Sequence, residues 1–210
     1  MSGQRNRTLL ALGWLGILGN VIGVLLLADQ PAAYRRAGLD AWARQIAAHP
    51  AAGAASGVAF TLGLLALALW AIELRSHLPS RPARAGALLV AAGALFDALG
   101  TVAPVVLALH AGEAAGPVAR ALLGLSLSLD SLFNFCLGAG LVAIGAAWDG
   151  GGRRWLRLLA LAAGIASLPV GAQAFVDGAA SLLVVAGPLW LAFIAATTFS
   201  KWGADAGGAR

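Results

Sequence analysis

The stretch LSLSLDSLFNFC, residues 125 to 136, sets an aspartate inside an otherwise lipophilic run. Ser126, Asp130, Asn134 and Gly138 recur at i,i+4 and therefore share one helical face. A second run, GALFDALGT, repeats the device with Gly93, Asp97 and Thr101. Carboxyl, hydroxyl and carboxamide groups on such stripes can carry a proton, ligate a cation or floor a ligand pocket. They can equally well hold two helices in register through neutral hydrogen bonds. A charged carboxylate at mid-bilayer costs at least about 2.5–3.5 kcal/mol on insertion scales. The sequence offers no lysine or arginine at that level. Desolvation and mutual repulsion then disfavour two charges, so at least one carboxyl is expected to hold a proton, shared or donated to Asn134, Ser126 or Thr101. Asn20, in an earlier apolar run, joins this candidate ligand or proton site, and Gln173 in a later run is a weaker candidate.

Composition dictates what must position these groups. Of 210 residues, 60% are apolar and 11% charged, and mean hydropathy is +0.84. A soluble domain carries roughly 45–50% apolar and about 25% charged residues, and a soluble fold could not hide the excess. Six segments reach the ~20 apolar residues that cross a bilayer: 9–27, 51–72, 85–109, 119–148, 155–176 and 179–200. Open-edged strands would leave backbone groups unsatisfied in lipid, and no alternating ten-residue pattern suggests a barrel. The expectation is an all-α, six-transmembrane-helix bundle forming a single membrane domain over 1–210. Residues 9–27 exceed the roughly 7–15-residue core of a signal peptide and are taken as a span.

Basic residues set the orientation. With both termini cytoplasmic, the inner segments hold Arg5, Arg7, Arg75, Arg81, Arg84, Arg153, Arg154, Arg157, Lys201 and Arg210, whereas the outer loops hold Arg35, Arg36, Arg44 and Arg120. The acids Glu73, Asp149 and Asp205 fall inside, and Asp29, Asp40, Glu113 and Asp177 outside, which leaves Asp97 and Asp130 within the membrane. This is a positive-inside pattern in a cell inner (plasma) membrane, and the basic balance answers to anionic lipid, not nucleic acid. Trp70, Trp148, Trp155 and Trp202 fall near the predicted cytoplasmic boundary, as an aromatic belt would. By this topology Asp97 lies roughly 18 Å from the inner face and Asp130 roughly 16 Å from the outer, one depth for both, on adjacent spans.

The outer loop 29–50 spaces Tyr34, Gly38, Trp42 and Ile46 helically, with an Asp40–Arg44 i,i+4 pair, and reads as a short amphipathic helix lying on the membrane or capping the bundle. Gly19 with Gly23, and Gly53 with Gly57, form small-xxx-small pairs suited to close helix packing within the chain or across a homo-oligomer seam. Pro104, Pro169 and Pro188 fall in the outer halves of their spans, where kinks would splay the helices into a vestibule.

Enzymatic constellations are missing. His49, His77 and His110 have no ligand spacing with one another or with Cys136, so no metal, haem or other cofactor is expected. There is no GxSxG and no phosphate loop. Intramembrane aspartyl proteases also pair two aspartates, but their Gly-x-Gly-Asp signature is absent around Asp97 and Asp130, and no catalytic residue is assigned.

The basic N-terminus, the first span LLALGWLGILGNVIGVLLL, the longer outer loop and the fifth-span entry GGRRWLRLLALAAGIASL resemble a widespread bacterial family of six-span membrane proteins catalogued as a domain of unknown function. That resemblance implies the fold and no activity. The expectation is a small binding or transport protein, a proton-linked permease or a pocket for a small or lipophilic ligand. The alternatives are a noncatalytic subunit or scaffold of a larger complex, and a membrane enzyme acting on lipid or isoprenoid. Partners are the bilayer, a small molecule or ion, and, left open, a second copy or a partner subunit.

Overall fold

The computed structural model describes residues 2–27, 30, 32–110, 116–148 and 154–207, with side chains described over 7–199 of these. Among the expected features, Asp29, Glu113, Asp149, Arg153 and Arg210 lie outside the described residues, as do the side chains of Arg5, Lys201, Trp202 and Asp205. The described chain is all-helical: α1 Ser2–Leu26, α2 Leu39–Ala48, α3 Pro50–Arg75, α4 Arg81–Gly100, α5 Val102–Leu109, α6 Pro117–Ala146, α7 Arg154–Val170 and α8 Leu183–Gly207, with 3-10 turns at Arg36–Gly38 and Ala179–Leu182. Starts follow local chemistry. Proline occupies the first turn of α3, α4 and α6, where no backbone donor is lost, and the Ser80 hydroxyl caps α4 by accepting from the Ala83 amide. Gly116, at φ 107°, makes the left-handed entry into α6.

Among the described residues, five helical stretches are long and apolar enough to cross a membrane: Arg7–Leu26, Pro50–Arg75, Arg81–Leu109, Pro117–Ala146 and Ala179–Phe199. Their outer faces carry large apolar side chains in the open, among them Leu25, Leu62, Leu99 and Val184, which is what a lipid-facing surface requires and a water-facing one avoids.

Helix contacts are made by glycine. A methyl group added at Gly19 would lie 2.5 Å from the Gly63 Cα, one at Gly86 would lie 2.5 Å from the Gly140 carbonyl oxygen, and one at Gly138 would lie 2.9 Å from the Gly164 carbonyl oxygen. These are backbone-to-backbone approaches of α1 on α3, α4 on α6 and α6 on α7, the usual means of association where lipid removes the hydrophobic drive. The Gly19 and Gly57 motifs are thus taken up inside the chain, Gly57 against Val105 and the Thr101 carbonyl.

Two local expectations are corrected, and the prolines can be placed. Trp70 is not a boundary anchor: it is buried, with its indole N–H donating to the Thr198 hydroxyl at 3.3 Å and its ring edge-on to Phe193. Asp40 pairs not with Arg44 but with Arg120, which donates to both carboxylate oxygens at 3.0 and 2.8 Å and so ties α2 to the start of α6. Pro169 and Pro188 face outward, and of the three prolines only Pro104 turns into the bundle.

The α7 helix differs most from its expected span. It has 17 residues, rising about 24 Å from Arg154 to Val170, and the chain then continues through turns over 171–178. Gly171 packs on the Phe135 ring, and the Ala174 amide donates to the Ser131 hydroxyl at 3.0 Å. Asp130 and Ser131 lie about 20 Å from one end of α6 and about 24 Å from the other, so α7 stops beside the middle of its neighbour. Non-helical backbone at such depth is tolerated where protein or a polar interior surrounds it.

Candidate functional site

The middle of α6 is where the polar residues converge. Asp97 from α4 and Asp130 from α6 are both buried, and their side chains meet across the α4–α6 contact. A hydrogen bond between the two carboxyls requires a proton on one of them, because carboxylates only accept. Close helix approach makes the meeting possible: Gly93, one turn before Asp97, lies against the Phe133 backbone and the Cys136 Cβ, and Gly100 lies against the Ser126 carbonyl. Any side chain longer than hydrogen at Gly93 would hold α4 away.

Asp130 has further partners. The Asn134 amide donates to the Asp130 backbone carbonyl at 2.9 Å and to its Oδ1 at 3.3 Å, and the Gln173 amide donates to its Oδ2. Gln173 was expected near the outer end of a fifth span. Instead, the early end of α7 delivers it to the level of Asp130, where it is buried. Among the described residues neither aspartate forms an ion pair with a basic side chain.

The Tyr34 loop lies over one side of this cluster. Tyr34 has φ 55°, a conformation that costs about 1 kcal/mol or more in a non-glycine residue. Its ring sits 4.8 Å from that of Trp42 and 6.3 Å from that of Phe60. Burial pushes the Tyr34 phenol well above its ordinary range, and charge on Asp97 and then on Asp130 acts in the same direction, so the hydroxyl end lies within electrostatic reach of the pair. Trp42 and Ile46 of α2 are fully buried against Leu107, Ala108, Ala119 and Leu123. The Trp42 N–H donates to Gln30 Oε1, and Arg36 reaches the Phe175 carbonyl at 2.6 Å. The loop is therefore packed onto the bundle as a cap.

The remaining candidates divide. Thr101 turns away from the pair, with its hydroxyl 2.7 Å from that of Thr61 on α3 and 2.9 Å from the Ala98 carbonyl. Asn20 donates to Gly16 of its own helix at 2.8 Å and packs at the α1–α3 contact. Ser126 is buried one turn from Asp130, and its hydroxyl has no hydrogen-bond partner within the protein. Asp97 Oδ1, Asn134 Oδ1 and Gln173 Oε1 likewise lack one. A buried polar atom left this way costs about 1–3 kcal/mol, and two of the four belong to side chains bonded to the Asp130 carboxylate. Helical spacing could find Asp130, Asn134 and Ser126. Gln173, named from the sequence as a weaker candidate, gains its contact from where α7 ends, which spacing does not reveal, and Tyr34 was grouped by the loop's periodicity with Trp42 as one apolar face.

No family model, curated protein or solved structure matches the chain.

Proposed function

We propose that the protein is a small binding or transport protein of the plasma (inner) membrane, with a protonatable site at mid-membrane depth that serves either proton-linked passage or capture of a small ligand. The observation that carries the proposal is the juxtaposition of Asp97 and Asp130, both buried without a basic partner, with Asn134 and Gln173 bonded to Asp130 and their own oxygens unpartnered. Ionisable groups at this depth mark ion or substrate routes by default. A helix that stops at the same level, as α7 does beside Asp130, is the arrangement by which membrane carriers expose polar backbone and side chains to a substrate.

The accompanying topology has six crossings with both termini cytoplasmic. The fifth would consist of α7 followed by the turns over 171–178. The contacts at the two ends of this segment support it: the Ser80 hydroxyl donates to the Ala147 carbonyl just before α7, and Arg36 of the outer loop reaches Phe175 after it.

Reconstitution into vesicles that enclose a pH-sensitive dye tests the function. The parent protein should carry or bind protons in a pH-dependent manner. Asp97→Asn with Asp130→Asn should abolish this while leaving the helical circular dichroism unchanged. If the double variant alters only stability, the polar midplane serves helix register, and a noncatalytic scaffold replaces the transport reading.

A further inference from the structure

We infer that Arg36, on the surface loop, is a positioning residue for the proposed site: through the turn over 172–176 it holds the Gln173 carboxamide on the Asp130 carboxylate. The inference rests on the reading of Asp130 as part of a proton site and adds what sets that residue's hydrogen bonding.

The turn carries the link. Three consecutive residues make three different contacts: the Gln173 side-chain amide donates to Asp130 Oδ2, the Ala174 backbone N–H donates to the Ser131 hydroxyl at 3.0 Å, and the Phe175 carbonyl accepts from Arg36 Nη1 at 2.6 Å. Two of these fall on neighbouring residues of α6, and the third belongs to the loop. The Ala172 carbonyl accepts from the backbone N–H groups of Phe175 and Val176, each at 2.8 Å, and the Gln173 backbone N–H donates to the Val170 carbonyl at 3.0 Å. These bonds close 172–176 into one tight turn, so Gln173 and Phe175 move as a unit. Two residues of chain span at most about 7 Å, which leaves no slack between the arginine contact and the carboxamide.

The far end of the turn depends on that arginine. The side chains of Phe175 and Val176 are exposed, and Gly178, at φ 90°, has open space where a side chain would be. Packing therefore contributes little there, and the charged guanidinium on the Phe175 carbonyl supplies the restraint. Among the described residues Arg36 forms no ion pair that would draw it elsewhere. Its own base is firm. Arg36 opens the 3-10 turn that runs into α2, whose Trp42 and Ile46 are fully buried, and the Ala32 amide ties the preceding chain to Gln45 Oε1 of α2 at 3.1 Å.

The test uses the full-length protein in detergent and reads the Asp130 carboxyl stretch in the infrared at a pH where that group is protonated, identified by its loss in Asp130→Asn. Gln173→Leu removes the donor and should move the band to higher wavenumber. Arg36→Ala, at an exposed side chain, leaves the buried packing intact and should move the band in the same direction by less. Arg36→Ala with Gln173→Leu should add nothing to Gln173→Leu alone, the signature of one residue acting through the other. Asp40→Ala frees α2 from Arg120 without touching Phe175 and should leave the band in place. An unmoved band in Gln173→Leu or Arg36→Ala, additive shifts in the double variant, or an equal shift in Asp40→Ala overturns the positioning role. Proton uptake by vesicles that contain the parent separates the two ideas. If the band is coupled as expected and the parent takes up no protons, the proton-site reading falls and the link stands. If the parent takes up protons and Arg36→Ala leaves both uptake and band unchanged, the link alone falls.

Discussion

Replacing Gly93 with alanine should break the site without touching either aspartate. A Cβ at this position would lie 2.7 Å from the Cys136 Cβ, 3.1 Å from the Phe133 carbonyl oxygen and 3.3 Å from the Phe133 Cα. Carbon atoms in contact settle at about 3.5–4.0 Å, so α4 and α6 must part locally by about 1 Å. Gly93 is one turn, about 6 Å of rise, from Asp97. A separation of that size there carries a hydrogen bond between the carboxyls beyond ~3.5 Å, where it ceases to be one. Overpacking costs about 1–3 kcal/mol, and the better helix propensity of alanine returns up to about 1 kcal/mol, which leaves a net loss of about 1–2 kcal/mol. Cys136→Gly removes the opposing carbon and should restore both packing and site in the double variant, with a coupling energy of about 1–2 kcal/mol. Stability can be followed by tryptophan fluorescence as a denaturing detergent is titrated into mild micelles, and the carboxyl pair by its infrared carbonyl band. Additive single effects, or an unshifted carbonyl band in Gly93→Ala, would refute the idea that this contact sets the distance between the aspartates.

Further outcomes follow from the cap and the loop. Trp42→Ala should cost about 3–5 kcal/mol, because the ring is fully buried and its N–H is bonded to Gln30, and should speed hydrogen exchange at the loop amides relative to those of α3. Asp40→Ala or Arg120→Ala should change the unfolding free energy by less than about 1 kcal/mol, since both side chains are more than half exposed and water screens the pair. In ultraviolet difference spectra Tyr34, the single tyrosine, should ionise above its ordinary pKa of about 10. The folded state then retains the phenolic proton longer than the unfolded state does, so stability present below pH ~10 is lost as pH rises through the folded-state pKa, and Tyr34→Phe should remove that loss.

How far the sequence carried this picture depended on what a single helix can know. Hydropathy located the long helices to within a few residues because lipid thickness fixes their length. Counting along α4 and α6 put Asp97 and Asp130 at one depth, and in the structure the two side chains are neighbours. Helix rotation was less legible. Gly93, Asp97 and Thr101 look like one stripe, but past the Gly100–Thr101 junction Thr101 turns to Thr61 on α3, since Pro104 interrupts the hydrogen-bond ladder there. The early stop of α7 was illegible for a related reason: residues 171–178 are apolar enough to continue a span, and only their turns lift Gln173 out of the helix face and onto Asp130. Asp40 chose Arg120 over Arg44 because tertiary packing brought a bidentate partner that no local spacing reveals.

The glycine contacts on both flanks of α6 carry a mechanical consequence. Gly140 meets Gly86 of α4 on one side, and Gly138 meets Gly164 of α7 on the other, in each case with carbonyl oxygens so near that even a methyl group would collide. Three helices locked backbone to backbone cannot slide or tilt past one another without prising open the very contacts that hold them. They act as a fixed anvil, with the two aspartates mounted on it. The Tyr34 loop and α2 are packed onto this frame by the buried Trp42 and Ile46, the Asp40–Arg120 pair and the Arg36 bond to the Phe175 carbonyl. The two aspartates therefore keep a spacing that sliding of one helix along the other cannot change.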